Sequence, residues 1–217
     1  MERAYITEVV LLPLKILDNV GVIEPAWDPG GKRPITRGGS SYLEVRTNVG
    51  VTGIRPNVDA ELIEVAKSFL LGAGPFEIEY LSDCLEYYTS GAPYKGRAGF
   101  DIALWDLVGK FCNQPLYKLW GGNRDRMPGY ASLIALSNTR ERARQAVYLR
   151  DCGFRALKVR IHHSTIESDV ETVAQIREAL GPKIVIMVDA NQAQSSGGWQ
   201  PGIQWDYRRA LDPAREL

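Results

Sequence analysis

The chain has 217 residues, 45% hydrophobic and 24% charged, with 26 basic residues set against 26 acidic ones. That is an ordinary globular composition, and a zero formal charge with scattered basic residues removes the attraction that nucleic acid or an anionic membrane surface would use. The expected ligand is therefore small.

The N-terminal stretch MERAYITEVVLLPLKILDN contains an apolar, strand-like run too short to span a bilayer and lacks a small-residue cleavage site. Cys84, Cys112 and Cys152 lie far apart, with no CxxC pair and no His at metal-ligand spacing, and read as buried or half-buried thiols. Both features point to a reducing, cytoplasmic setting.

YITEVVLLPLK reads as a strand, and SSYLEVRTNVGVTGIRP as two strands joined at Asn48, Val49 and Gly50, giving a small antiparallel sheet. Between them LDNVGVIEPAWDPGGKRPITRGG holds five glycines and three prolines without a period, and is expected to be a long loop, either a lid or an unstructured excursion. NVDAELIEVAKSFLLGAG, PFEIEYLSDCLEYYTSG and GRAGFDIALWDLVGKFCN come next as three amphipathic helices. Residues 1–126 are thus expected to form an α+β domain.

Near Arg126 the rhythm changes. MPGYASLIAL, FRALKVRIHH and KIVIMVDANQ read as strands, alternating with helices at TRERARQAVYLRDCG, SDVETVAQIREALG and QWDYRRALDPAREL. This alternation over residues 127–217 implies parallel strands joined by right-handed crossovers, either doubly wound or opening a barrel. Strand parity favours the barrel. Leu157, Val159 and Ile161 share one face of ALKVRIHH, while Lys158, Arg160 and His162 share the other. A strand covered by helices on both sides would be apolar on both. In KIVIMVDAN the same alternation turns Ile184, Ile186 and Val188 outward, and Val185, Met187, Asp189 and Asn191 inward. The ionisable residues gather at the C-terminal strand ends, the active face of a (β/α)8 barrel. Neither GxGxxG nor GxxxxGK[ST] occurs, which disfavours a nucleotide fold.

A carboxylate at a strand end is a common start for a hard-cation site, yet one carboxylate holds Mg2+ poorly, and Asp189 reads equally well as a turn-capping residue. Lys158 and Arg160 are either a salt-bridging or a substrate-facing pair. A guanidinium keeps its proton, so Arg160 suits binding an anion and does not suit proton abstraction. His162 reads more readily as a polar neighbour than as a catalyst.

The blocks AGFDIALWDLVGKFCNQPLYKLWGG, YASL, ALKVRI and VDANQ, in this order, resemble the enolase superfamily, in its mandelate racemase and muconate lactonizing enzyme branch. The resemblance implies an α+β capping domain over residues 1–126, followed over 127–217 by the first three βα units of an incomplete (β/α)8 barrel. It implies Mg2+ as cofactor, with Asp189 as the first of three acidic ligands. The metal would stabilise the enolate formed when the proton next to a substrate carboxylate is removed. Lys158 and Arg160 fall on the family's KxK motif as KxR, with Lys158 inheriting a contact to the substrate carboxylate or to a metal-bound oxygen. They are the catalytic and substrate-binding candidates, joined by Asn191 on the substrate side. Arg160 departs from the second lysine, often a base on one face of the carbanion. Racemisation needs a base on each face, so the departure favours dehydration of an acid sugar over racemase or epimerase chemistry, with cycloisomerase a further alternative.

Eight strands close such a barrel and three precede Leu217. The chain is accordingly expected to lack most of an active site, to be inactive alone, and to associate through an open sheet edge or as a family-typical homo-oligomer. A non-catalytic, partner-binding module is the alternative.

Overall fold

The computed structural model describes residues 3–26, 28, 30–56, 58, 60–88, 97–161, 163–190 and 205–216. They form two compact units, one of Met1–Asn19 with Thr36–Asp125 and one of Val20–Ile35 with Arg126–Leu217.

The first unit is built on an antiparallel sheet in the order β1-β4-β5, with β1 at Ile6–Pro13, β4 at Ser41–Thr47 and β5 at Thr52–Pro56. β4 shows the alternation of a half-buried strand, with Leu43, Val45 and Thr47 all buried. β1 does not, since Ile6 and Val9 are both buried three positions apart. A register shift explains this: Ile6 sits opposite Thr47 and Glu8 opposite Arg46, so Thr7 is an extra residue that flips the parity of the rest of the strand.

Helices α1 (Leu62–Leu70), α2 (Ile78–Tyr88) and α3 (Arg97–Phe111) cover this sheet. α3 buries Phe100, Ala103, Leu104, Leu107 and Val108, a stripe at helical spacing. The helix lies so close to β5 that a Cβ on Gly53 would stand 2.1 Å from the Ala103 carbonyl oxygen. A short helix, α4 (Leu116–Leu119), comes after Pro115 and went unread in the sequence.

The segment expected to be a loop is instead largely paired. β2 (Ile16–Ile23) and β3 (Arg33–Gly38) form a two-stranded sheet, with Arg37 bridging to Asp18 at 2.9 Å. Its strands are exposed almost throughout, so no buried face imprinted an alternation on the sequence.

In the second unit β6 (Ala131–Leu133), β7 (Ala156–Arg160) and β8 (Val185–Asp189) form a parallel sheet in that order. The expected strand MPGYASLIAL shrinks to three residues, and Ala135 makes an isolated bridge with Pro25. Helices α5 (Thr139–Asp151) and α6 (Ile166–Leu180) supply the crossovers, and α7 (Tyr207–Glu216) comes last. Both crossover helices are capped as their sequences dictate: Asn138 accepts from the Glu141 amide and Thr165 from the Ser168 amide. Leu157 and Val159 are fully buried in a core with Ala146, Ile176 and Leu180.

Cys84 is half-buried, in keeping with the reading of the cysteines as buried or half-buried thiols, whereas Cys112 and Cys152 are exposed, which corrects that reading for those two. Among the described residues no helix is long and apolar enough to cross a membrane.

Candidate functional site

The polar face of the parallel sheet brings three of the sequence candidates together. β7 and β8 run in register with Arg160 opposite Asp189 and Lys158 opposite Met187. Because alternate residues share a face, Lys158, Arg160 and Asp189 project on the side opposite the Leu157 and Val159 core. Lys158 Nζ lies 2.8 Å from Asp189 Oδ2, and Arg160 Nη2 lies 3.8 Å from the same oxygen. Their side chains keep only 22%, 12% and 21% of their exposure for Lys158, Arg160 and Asp189. Tyr130, just before β6, presents its ring 5.7 Å from Lys158 Nζ, a cation–π distance.

Asn191 and His162 lie outside the described residues. Among the described residues no group of three or more His, Cys, Asp or Glu side chains could hold a metal ion. Asp189 supplies one hard oxygen donor, which fits one position in a Mg2+ coordination sphere and not a full set. Two cations already on that carboxylate mean a metal ion would compete with Lys158 for Oδ2.

Sequence reading missed Tyr130 and Arg142. Arg142 on α5 is fully buried, and burial pushes its guanidinium down from its ordinary pKa; the nearby Asp169 charge works against that shift and Arg160 adds to it. The available signal was position: Arg142, Ala146 and Leu149 fall at i, i+4 and i+7 on the inward stripe of α5.

Two family descriptions match the chain. "Mandelate racemase / muconate lactonizing enzyme, N-terminal domain" covers residues 36–121, and "Enolase C-terminal domain-like" covers residues 139–217. An α+β unit, a parallel sheet with charged strand ends, and these two matches define the class: the chain belongs to the mandelate racemase and muconate lactonizing enzyme branch of the enolase superfamily.

Arabinonate dehydratase of Saccharolobus solfataricus is 33% identical over 174 residues, which is 76% of this chain and 43% of that enzyme. The crystal structure of D-glucarate dehydratase from Agrobacterium tumefaciens complexed with magnesium superposes with a TM-score of 0.76 at 26% identity, covering 98% of this chain and 58% of that one. Dipeptide epimerase from Enterococcus faecalis, complexed with Mg and the dipeptide L-Leu-L-Tyr, gives a TM-score of 0.78 at 25% identity, covering 97% and 57%. The chain thus spans less than half the length of the curated dehydratase it resembles.

Proposed function

We propose that this chain carries part of the active site of a Mg2+-dependent lyase that removes the proton next to the carboxylate of an acid sugar. Residues 1–126 act as the capping domain and the three parallel strands as the opening of a (β/α)8 barrel. Asp189 supplies one metal ligand, and Lys158 and Arg160 hold the substrate carboxylate, with Asn191 beside it. When bound, Mg2+ supplies positive charge where negative charge builds on the substrate.

The observation that carries this reading is the convergence of Lys158 and Arg160 on Asp189 at adjacent parallel strand ends, the cations 2.8 and 3.8 Å from one carboxylate oxygen. A small anion entering this face meets two fixed cations, one of them the planar fork suited to bidentate carboxylate binding. Epimerisation is the second reading, favoured by the likeness to the dipeptide epimerase. Arg160 counts against it, because a guanidinium is a poor partner in two-base proton transfer. The magnesium-bearing relatives support the choice of metal.

Titration with Mn2+, a paramagnetic stand-in for Mg2+, tests the site. Relaxation broadening is expected to centre on Asp189 and the neighbouring ends of β7 and β8, and to vanish in Asp189→Asn. Broadening that persists in the variant, or that centres elsewhere, refutes Asp189 as a ligand.

A further inference from the structure

Arg142 is a fully buried cation that spends its guanidinium on main-chain carbonyls. Its Nη1 donates to the Arg160 carbonyl at 2.8 Å, and longer contacts of 3.4 Å run from Nη2 to the Ala135 carbonyl and from Nε to the Ser137 carbonyl. Those acceptors are the last residue of β7 and two residues just past β6. The peptide group that accepts from Arg142 also donates: Ile161 N–H reaches the Asp189 carbonyl at 3.2 Å. One peptide unit, Arg160–Ile161, therefore links the buried guanidinium to the backbone of Asp189. On the other side, Ala135 bridges Pro25, while Ala26 N–H donates to the Ile134 carbonyl at 2.8 Å and Leu136 N–H to the Glu24 carbonyl at 2.7 Å.

Burying a cation is unfavourable, and a well-packed apolar residue commonly serves stability as well or better. Part of the cost is offset by the charge of Asp169, itself fully buried with Oδ1 accepting from the His163 amide at 3.0 Å. What an apolar residue lacks is a rigid fork of donors that fixes three carbonyls from two strand exits at once.

We infer that Arg142 is a positioning residue: through the Arg160–Ile161 peptide and the Ala135 carbonyl it sets the strand ends bearing Lys158, Arg160 and Asp189, together with the Glu24–Ala26 segment beside them. This rests on reading those strand ends as the substrate site, but its test uses neither metal nor turnover.

The test is NMR on the full chain. In the wild type the Arg142 guanidinium protons give separate, slowly exchanging resonances; averaged, rapidly exchanging ones overturn the inference even if no variant folds. In Arg142→Lys, and more strongly in Arg142→Met, amide exchange at Ile161 and Leu136 rises about tenfold or more, while the buried Val159 and Ile176 stay within about twofold. The Lys158 ammonium resonance, which reports its pairing with Asp189, shifts or broadens in both variants. A uniform rise across the unit overturns the inference, because a purely structural role predicts it. So does unchanged exchange at Ile161 with an unchanged Lys158 signal. If the Mn2+ titration fails while these outcomes hold, Asp189 is no metal ligand and the positioning role stands.

Discussion

The two units each hold an Asp–Lys pair of nearly the same length, Asp106 with Lys110 at 2.7 Å and Asp189 with Lys158 at 2.8 Å. The first lies in the ALWDLVGK block, part of the stretch that carries the family resemblance, and its other contacts are with main chain. Asp106 accepts from the Ile54 amide at 2.8 Å and Lys110 donates to the Thr52 carbonyl at 2.6 Å, satisfying two groups on the edge strand β5. Gly53 between them is the residue whose missing Cβ lets α3 approach. In the second pair, Lys158 and Asp189 meet through their side chains, with Arg160 and Tyr130 nearby. The separation of the charges does not distinguish scaffold from site. What distinguishes them is whether the charged groups are also committed to backbone groups, as Asp106 and Lys110 are, or gather with a second cation on one half-buried face, as Lys158, Arg160 and Asp189 do.

The strongest way to break this comparison is Gly53→Val. Its Cβ would meet the Ala103 carbonyl, so helix and strand must separate, at a cost of about 3 kcal/mol in urea unfolding monitored by circular dichroism. A loss below about 1 kcal/mol would mean α3 is not locked onto β5 as described.

A finer test sets Asp106→Ala against Asp189→Asn. The first strands the Ile54 amide and also removes the Lys110 pair; of an expected cost of about 1 kcal/mol, the part from the lost backbone hydrogen bond persists at high salt and only the ion-pair part is screened. The second leaves Lys158 and Arg160 facing each other without their shared carboxylate, so its cost shrinks as salt screens their repulsion. Equal salt dependence in the two variants would erase the distinction drawn between the pairs.

Legibility in the sequence divides along the same line. β4 was legible because Leu43, Val45 and Thr47 alternate against a core, and β7 because Leu157 and Val159 alternate with Lys158 and Arg160. β1 was read as a strand of this sheet, but the bulge at Thr7 breaks its period and hid which of its residues face the core. The β2–β3 hairpin hid because Val20 and Val22 are both exposed, leaving no in-and-out pattern to detect. Strand parity placed Lys158, Arg160 and Asp189 on one face, as the sheet register bears out, while the roles proposed for them came from the family resemblance. Arg142 was missed, because the three carbonyls it bonds are groups that every residue carries, and only its place on the inward stripe of α5 marked it. Tyr130 lay in a stretch read as a longer strand and drew no attention.

The smallest expected effect lies at the start of α5, on the path from β6 to Arg142. Glu141 donates its amide to Asn138 Oδ1 at 2.9 Å, and its carboxylate accepts from Arg144 at 2.6 Å and from Gln145 at 3.3 Å. The Arg144 hydrogen bond holds this carboxyl below its ordinary value, with the Gln145 bond assisting and desolvation opposing. A depressed folded-state pKa means the stabilisation is fully present above the ordinary glutamate pKa and is lost as pH falls through the folded value. Glu141→Gln keeps a side chain suited to the third helical position while removing the titration. Thermal unfolding of the wild type is therefore expected to fall slightly more between neutral and acid pH than that of the variant, with the gap confined to the acid side of the glutamate range. A gap opening at neutral or alkaline pH instead would show that Glu141 acts through something other than its ionised carboxylate. The start of α5 would then not depend on the Arg144 contact for its order, and the Asn138 cap would have to carry it alone.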